Sequence, residues 1–331
     1  MTNATLPDNL LGRHFITLQD WSREEIDQLL NVSADLKRKF AAGEETDYLR
    51  HRTIFLMFFE QSTRTRNSME AGITQLGGHA HFLDTSTMQI AHGEVGKDTG
   101  IILSRYGHAI ACRNCFWDVG NRYLNELAEW ADAPVISMQC DLYHPLQALA
   151  DLMTMQEKLA SLPKRKVSVI WAYATSHKKP ISVPLSQILL FPRYGLDVTL
   201  AHPESHPLPD WALEQARANA QAGGGSLTIT HDQDEAYRDA EVVIPKNWGD
   251  WVLNPDSTST ENLEANRHWI CTPERMALTA KDSIYMHALP ADRGNEVVDE
   301  VIDGPHSVIY DEAENRLHTA KAVMALTMRR K

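Results

Sequence analysis

The chain is poor in cysteine: four thiols in 331 residues cannot make a disulfide framework, and they fit a reducing cytoplasm better than a secreted setting. Cys112 and Cys115 form a C-x-x-C, but no second pair and no histidine pair stands at zinc spacing, so incidental thiols and no metal are expected. Long apolar runs are also missing. The longest, Ile54 to Phe59, has a strand's length and falls far short of the roughly 20 residues a bilayer span needs, so no membrane is expected. Met1-Thr2-Asn3-Ala4 shows no basic region leading into an apolar one, and no signal peptide is expected. Positive charge is the third shortage. The net charge of −12 argues against nucleic acid as a partner, because a duplex binder needs a net basic face to release counterions. An anionic ligand would then need a local basic pocket. No glycine fingerprint follows the first strand, which argues against a nicotinamide cofactor; Gly223-Gly224-Gly225 reads as a helix stop and turn.

Apolar residues at 43% and charged residues at 23% give the balance of a well-buried protein, and the length suits two domains of roughly 150 residues with a cleft between them. Trp21 to Phe40 has helical spacing at Ile26, Leu29, Leu30 and Leu36, with Asp20 or Ser22 as cap. Thr53 to Phe59 reads as a strand buried on both faces of a parallel sheet, and Arg64 to Leu76 as the helix after it. Further strands are expected at His79–Leu83, His108–Cys112 and Pro134–Met138, with helices around 97–106 and 122–131.

Pro163-Lys164-Arg165-Lys166 precedes a second series, and the interdomain passage is placed just before Val167–Tyr173. There, strands at Asp197–Ala201, Leu227–Thr230, Val242–Pro245 and Ser283–Met286 alternate with helices near 182–194, 211–223 and 234–239. A last helix runs from Asp311 to about Met328, ahead of Arg329-Arg330-Lys331. The expected fold is α/β: two doubly wound parallel-sheet domains, residues 1–155 and 156–310, with the helix in 311–331 returning to the first.

Four stretches could carry chemistry. Glu60-Gln61-Ser62-Thr63-Arg64-Thr65-Arg66 lies between a strand and a helix, where unpaired N–H groups and the helix dipole already favour an anion. Its hydroxyls and guanidiniums suit phosphate oxygens, although Ser62 or Thr63 reads equally well as a cap with solvated arginines. His144 and Gln147 stand three apart at a Pro-marked helix start and can reach the same cleft. Met286-His287-Ala288-Leu289-Pro290-Ala291-Asp292-Arg293 runs from a strand into a loop. Asp311-Glu312-Ala313-Glu314-Asn315-Arg316-Leu317-His318 opens the last helix.

In this order, the S-T-R-T-R turn, the H-P-x-Q-x-L-A-D run, the H-x-L-P loop and the D-E-A-E-N-R-L-H helix resemble the aspartate and ornithine carbamoyltransferase family. The resemblance spans about Leu10 to Met328 and implies carbamoyl transfer from carbamoyl phosphate to a small amine, with no metal or organic cofactor. A catalytically silent binding or regulatory member of the fold is the alternative. Gln89-Ile90-Ala91-His92-Gly93-Glu94 is similar to a family loop that enters a neighbouring subunit's active site, which implies a homotrimer with shared sites. By the same resemblance Ser62, Thr63, Arg64 and Thr65 would hold the phosphate, with Gln89 from the adjacent chain and Arg316 completing the clamp. Arg113, His144 and Gln147 would address the carbamoyl end, and the Leu289 carbonyl would orient its NH₂. Arg64, Thr65, Arg113 and His144 are the catalytic candidates.

Pro245-Lys246-Asn247-Trp248-Gly249 and the loop Trp171 to Pro184 resemble the knotted branch, which holds N-acetylornithine and N-succinylornithine carbamoyltransferases, and within it the YgeW-like group. Lys246 is expected to receive the acceptor's carboxylate, with Trp248 as a wall. Asp292 stands where the acylornithine enzymes carry arginine, and Glu296 replaces a nearby lysine; both reversals argue against an acylated acceptor bound in their manner.

Overall fold

A computed structural model describes residues 6–255 and 260–328. The amino-terminal Met1-Thr2-Asn3-Ala4 and the basic Arg329-Arg330-Lys331 singled out in the sequence lie outside them. The chain divides into two compact units: unit 1 is Met1–Ala150 with Glu314–Lys331, and unit 2 is Asp151–Ala313. The division falls within a continuous helix, Pro145–Lys158, which also contains the boundary expected between residues 155 and 156 and ends ahead of the passage expected before Val167. A helix needs no loop to cross from one core to another.

In unit 1 helix α1, Arg23–Ala41, begins two residues later than its apolar spacing predicts, because Ser22 and Glu25 form a reciprocal cap. Trp21 stays outside the helix and packs edge-on against Phe15 with ring centroids 5.3 Å apart. Strands β1 (Thr53–Phe58), β2 (His79–Asp84), β3 (Ala109–Asn114) and β4 (Val135–Cys140) form a parallel sheet in the order β2-β1-β3-β4. Helices α2 (Thr63–Gln75), α3 (Gly96–Tyr106) and α4 (Gly120–Trp130) connect them, and α5 (Pro145–Lys158) leaves β4. Since β1 lies between β2 and β3, the connections leave β1 in opposite directions. Such a reversal opens a crevice at the carboxyl ends of β1 and β3. Phe58 and Arg113 are register partners at that edge.

The C-terminal helix, Ile309–Thr327, returns to unit 1. It packs over α2 so closely that a Cβ on Gly72 would stand 3.0 Å from the Met324 Cε and 3.2 Å from the Lys321 Cγ. Lys321 is buried there and donates to Gln75 Oε1 at 3.0 Å.

In unit 2 strands β5 (Lys166–Trp171), β6 (Asp197–Ala201), β7 (Ser226–Thr230), β8 (Val242–Lys246) and β9 (Ile284–Tyr285) form a parallel sheet ordered β7-β6-β5-β8-β9. Helix α6 covers Ser182–Leu190 and ends in a 3₁₀ turn through Tyr194, and α7 covers Asp210–Gly223. The reversal here lies between β5 and β8, where Trp171 and Lys246 are register partners. No helix among the described residues is long and apolar enough to cross a membrane.

Candidate active site

In unit 1 the S-T-R-T-R turn is the start of α2. Ser62 is its N-cap, extended at φ −155°, and its Oγ accepts the Thr65 N–H at 3.3 Å. The cap uses one donor of the first turn and leaves the others to a ligand or water. Thr65 is buried under the turn. A cleft of about 450 Å³ runs beside it, lined by Gln61, Ser62 and Thr63 together with Asp84 and Ser86.

The two arginines of the turn behave differently. Arg66 lines the cleft but is paired with Glu70 at 2.9 Å and stacked 3.6 Å over the Phe82 ring, so part of its charge is engaged by its own helix and the sheet edge. Arg64 pairs with no carboxylate among the described residues. Burial, and then the neighbouring Arg113, hold its pKa below the usual guanidinium value.

Arg113 donates to Gln139 Oε1 at 2.6 Å, and its buried Nε has no partner among the described residues. Glu60 lies close by, but its Oε1 accepts the Cys115 N–H at 2.9 Å; burial raises its pKa, and that bond and Arg113 oppose the rise. Arg316 donates to Gln147 Oε1 at 2.6 Å, and its Nη1 lies 3.5 Å from His144 Nε2. Burial first, then Arg316 and Arg113, hold the His144 pKa well below its ordinary value, so its imidazole is neutral at pH 7. Unit 1 therefore gathers Arg64, Arg113, His144, Gln147 and Arg316 at one edge of its sheet. It does not bring Gln89 there. That residue is exposed in a 3₁₀ turn, Gln89–His92, with no hydrogen bond to the anion turn.

Unit 2 presents a second cluster at the ends of β8 and β9. Lys246 Nζ lies 3.1 Å from Glu296 Oε1 and 2.5 Å from Asn247 Oδ1, so the lysine is not a free cation. Asp292 is paired with Lys179 at 3.0 Å and accepts from Asn247 Nδ2 at 2.9 Å. Leu289 has φ +48°, a left-handed conformation uncommon for a residue other than glycine. Trp248 departs from its expected role as a pocket wall. Its side chain is fully buried, and its indole N–H donates to the His206 carbonyl at 3.0 Å.

The pairing partners Gln139, Asn247 and Lys179 were not singled out by sequence. A glutamine in the mostly apolar strand β4 was the one available signal. Among the described residues no group of three or more His, Cys, Asp or Glu is set to hold a metal ion; the four cysteines are free, and burial pushes Cys140 up to about 12.

Two parallel-sheet units, the first with a cationic turn at its strand reversal, define the class of protein to which relatives should belong. Residues 13–157 match the aspartate/ornithine carbamoyltransferase carbamoyl-P binding domain, and residues 179–327 match that family's Asp/Orn binding domain. The chain belongs to the aspartate/ornithine carbamoyltransferase family. It is 38% identical over 316 residues to ornithine carbamoyltransferase of Halalkalibacterium halodurans, covering 96% of this chain and 95% of the relative. The structure of ornithine carbamoyltransferase from Pyrococcus furiosus superposes with a TM-score of 0.88 at 35% identity, covering 96% of this chain and 98% of that one. Acetylornithine transcarbamylase complexed with acetylcitrulline gives 0.86 at 33%, covering 96% and 100%.

Proposed function

We propose that this carbamoyltransferase moves the carbamoyl group of carbamoyl phosphate onto the amine of a small carboxylate-bearing acceptor and releases phosphate. The observation that carries the reading is the concentration of positive charge in unit 1. Arg64 lies close enough to Arg113 for its pKa to fall, and it pairs with no carboxylate among the described residues, beside the N-terminus of α2. Such an arrangement is costly until an anion occupies it.

Ser62, Thr63, Arg64 and Thr65 are assigned to the phosphate, with Arg316 closing the clamp. The attacking amine adds its lone pair to the carbamoyl carbon, and negative charge grows on the carbonyl oxygen. Thr65, Arg113 and neutral His144 are the donors assigned to that oxygen, held in place before the charge appears. The carbon–oxygen bond to phosphate then breaks. The departing phosphate takes the amine's proton, so no separate base is needed.

We place the chain in the knotted branch and in the cytoplasm, as a homotrimer in which Gln89 serves a neighbouring chain's site. The Pro245-Lys246-Asn247-Trp248-Gly249 stretch and its packing support the branch. Gly249 N–H and the Trp251 indole both donate to the Lys179 carbonyl, at 2.9 and 2.8 Å. A Cβ at position 249 would lie 1.8 Å from the His177 carbonyl oxygen, so only glycine permits this approach of the two segments. Four free thiols fit a reducing compartment.

The test is a thermal shift with carbamoyl phosphate, followed by phosphate release with diaminopropionate, ornithine, acylated ornithines, β-alanine and oxamate. Stabilisation and release with one of these amines is the expected result. Stabilisation without release would identify a silent binding member, and neither would sink the reading.

A further inference from the structure

The carboxylate of Glu296 is fully buried in unit 2 and ties three segments together. Its Oε1 accepts from Lys246 Nζ at 3.1 Å and from the Asn247 N–H at 2.8 Å, both at the end of β8. Its Oε2 accepts the Asp292 N–H at 2.6 Å. His287 Nε2 faces the same carboxylate at 3.3 Å. Since His287 Nδ1 accepts the Leu289 N–H at 2.9 Å, the ring proton belongs on Nε2, on the side of Glu296. Burial alone would raise the Glu296 pKa, but Lys246, His287 and the Asp292 N–H outweigh it and hold the acid well below the usual carboxylate range.

We propose that Glu296 is a positioning residue for the acceptor half of the reaction, fixing Lys246 and the His287–Leu289 loop in one arrangement and offsetting the lysine's charge. This rests on the reading of Lys246 as the acceptor's partner. An ammonium has three N–H groups; Glu296 and the Asn247 Oδ1 take two, and one remains. The acceptor's carboxylate therefore meets a single donor of fixed direction in place of a mobile cation. A free lysine would attract any anion within its reach, whereas a fixed donor rewards only an acceptor that places its amine correctly at the same time.

The experiment compares full-length wild type, Glu296→Gln, Lys246→Met and the double variant, using carbamoyl phosphate with ornithine, N-acetylornithine and 2,3-diaminopropionate. For the amine that wild type uses, Glu296→Gln should lower kcat/KM at least tenfold while the KM for carbamoyl phosphate stays within twofold. The double variant should be slower than Lys246→Met by much less than the factor that Glu296→Gln costs in wild type, since Glu296 acts largely through Lys246. Losses that multiply, or unchanged amine kinetics in Glu296→Gln, would overturn the proposal. If Glu296→Gln does not fold, the double variant carries the comparison, because it leaves no lysine facing a neutralised site.

Should wild type use none of the three amines, the acceptor reading fails by itself. The positioning role is then decided by ¹⁵N-histidine spectra, with the His287 signal assigned from His287→Gln. An Nε2–H signal that moves between Lys246→Met and the double variant supports the role of the carboxylate, and an unmoved signal refutes it.

Discussion

The guanidinium of Arg316 donates to the side-chain carbonyl of Gln147 at 2.6 Å, joining residues 169 positions apart in sequence. The contact brings the C-terminal helix to the start of α5, where the same guanidinium stands beside His144. Through this pair a cation from the far end of the chain joins Arg64 and Arg113, and it helps keep His144 neutral.

Arg64→Ala should abolish turnover while leaving the melting temperature within a few degrees of wild type. The side chain carries no ion pair whose loss would destabilise the fold. Removing one fixed donor to developing charge typically costs about 10²–10³ in kcat, and loss of phosphate binding adds to that. Near-normal steady-state kinetics in this variant would remove the turn from the site.

Mixing inactive Gln89→Ala chains with inactive Arg64→Ala chains should restore part of the activity. The reason is the position of Gln89, exposed in its turn and not bonded to the α2 N-terminus of its own chain. Mixed assemblies would contain some sites with both residues intact. No recovery after subunit exchange has been verified would count against shared sites.

Lys246→Met should impair use of the acceptor far more than binding of carbamoyl phosphate, and it should also lower stability. It leaves the buried Glu296 without its lysine, and removing one partner of a buried pair typically costs about 3–5 kcal/mol. Pairing it with Glu296→Gln should recover most of that stability. Wild type should use N-acetylornithine poorly, because Asp292 presents a carboxylate already bound to Lys179 and Asn247. Efficient carbamoylation of that amine would rule out Asp292 as a selector.

Acid should weaken unit 2 as pH falls from about 6.5 toward 4. Burial lowers both His202 and His206 to about 4 from an ordinary 6.5. In that window the unfolded chain binds protons that the folded one refuses, so stability rises with pH and is lost on acidification. Each histidine contributes a slope of at most about 1.4 kcal/mol per pH unit. Urea unfolding at pH 7, 5.5 and 4.5 should show a shallower loss in His202→Gln than in wild type, and equal slopes would contradict the assignment.

Much of the framework is local and was therefore legible in the sequence. Apolar runs of five or six residues separated by helical spacing mark β1 and β6 at nearly their observed bounds, and Ser62 is recognisable as a cap or anion turn from its neighbours alone. What the sequence could not decide is which charges are spent. Arg64 and Arg66 look alike in the turn, yet Arg66 is partly engaged by Glu70 and Phe82. Lys246 reads as a free cation until Glu296, fifty positions later, is seen beside it, and Trp248 reads as a wall until its indole proves fully buried. The length of the chain places the break between units only to within several residues of its position inside α5, since a helix keeps the same local pattern on either side of a boundary. Periodicity and capping depend on neighbours a few residues apart, so the sequence alone determined the elements and the phosphate-type turn. Ion pairing and burial depend on distances between remote segments, so only the tertiary structure decided which of its charges remain available to a substrate.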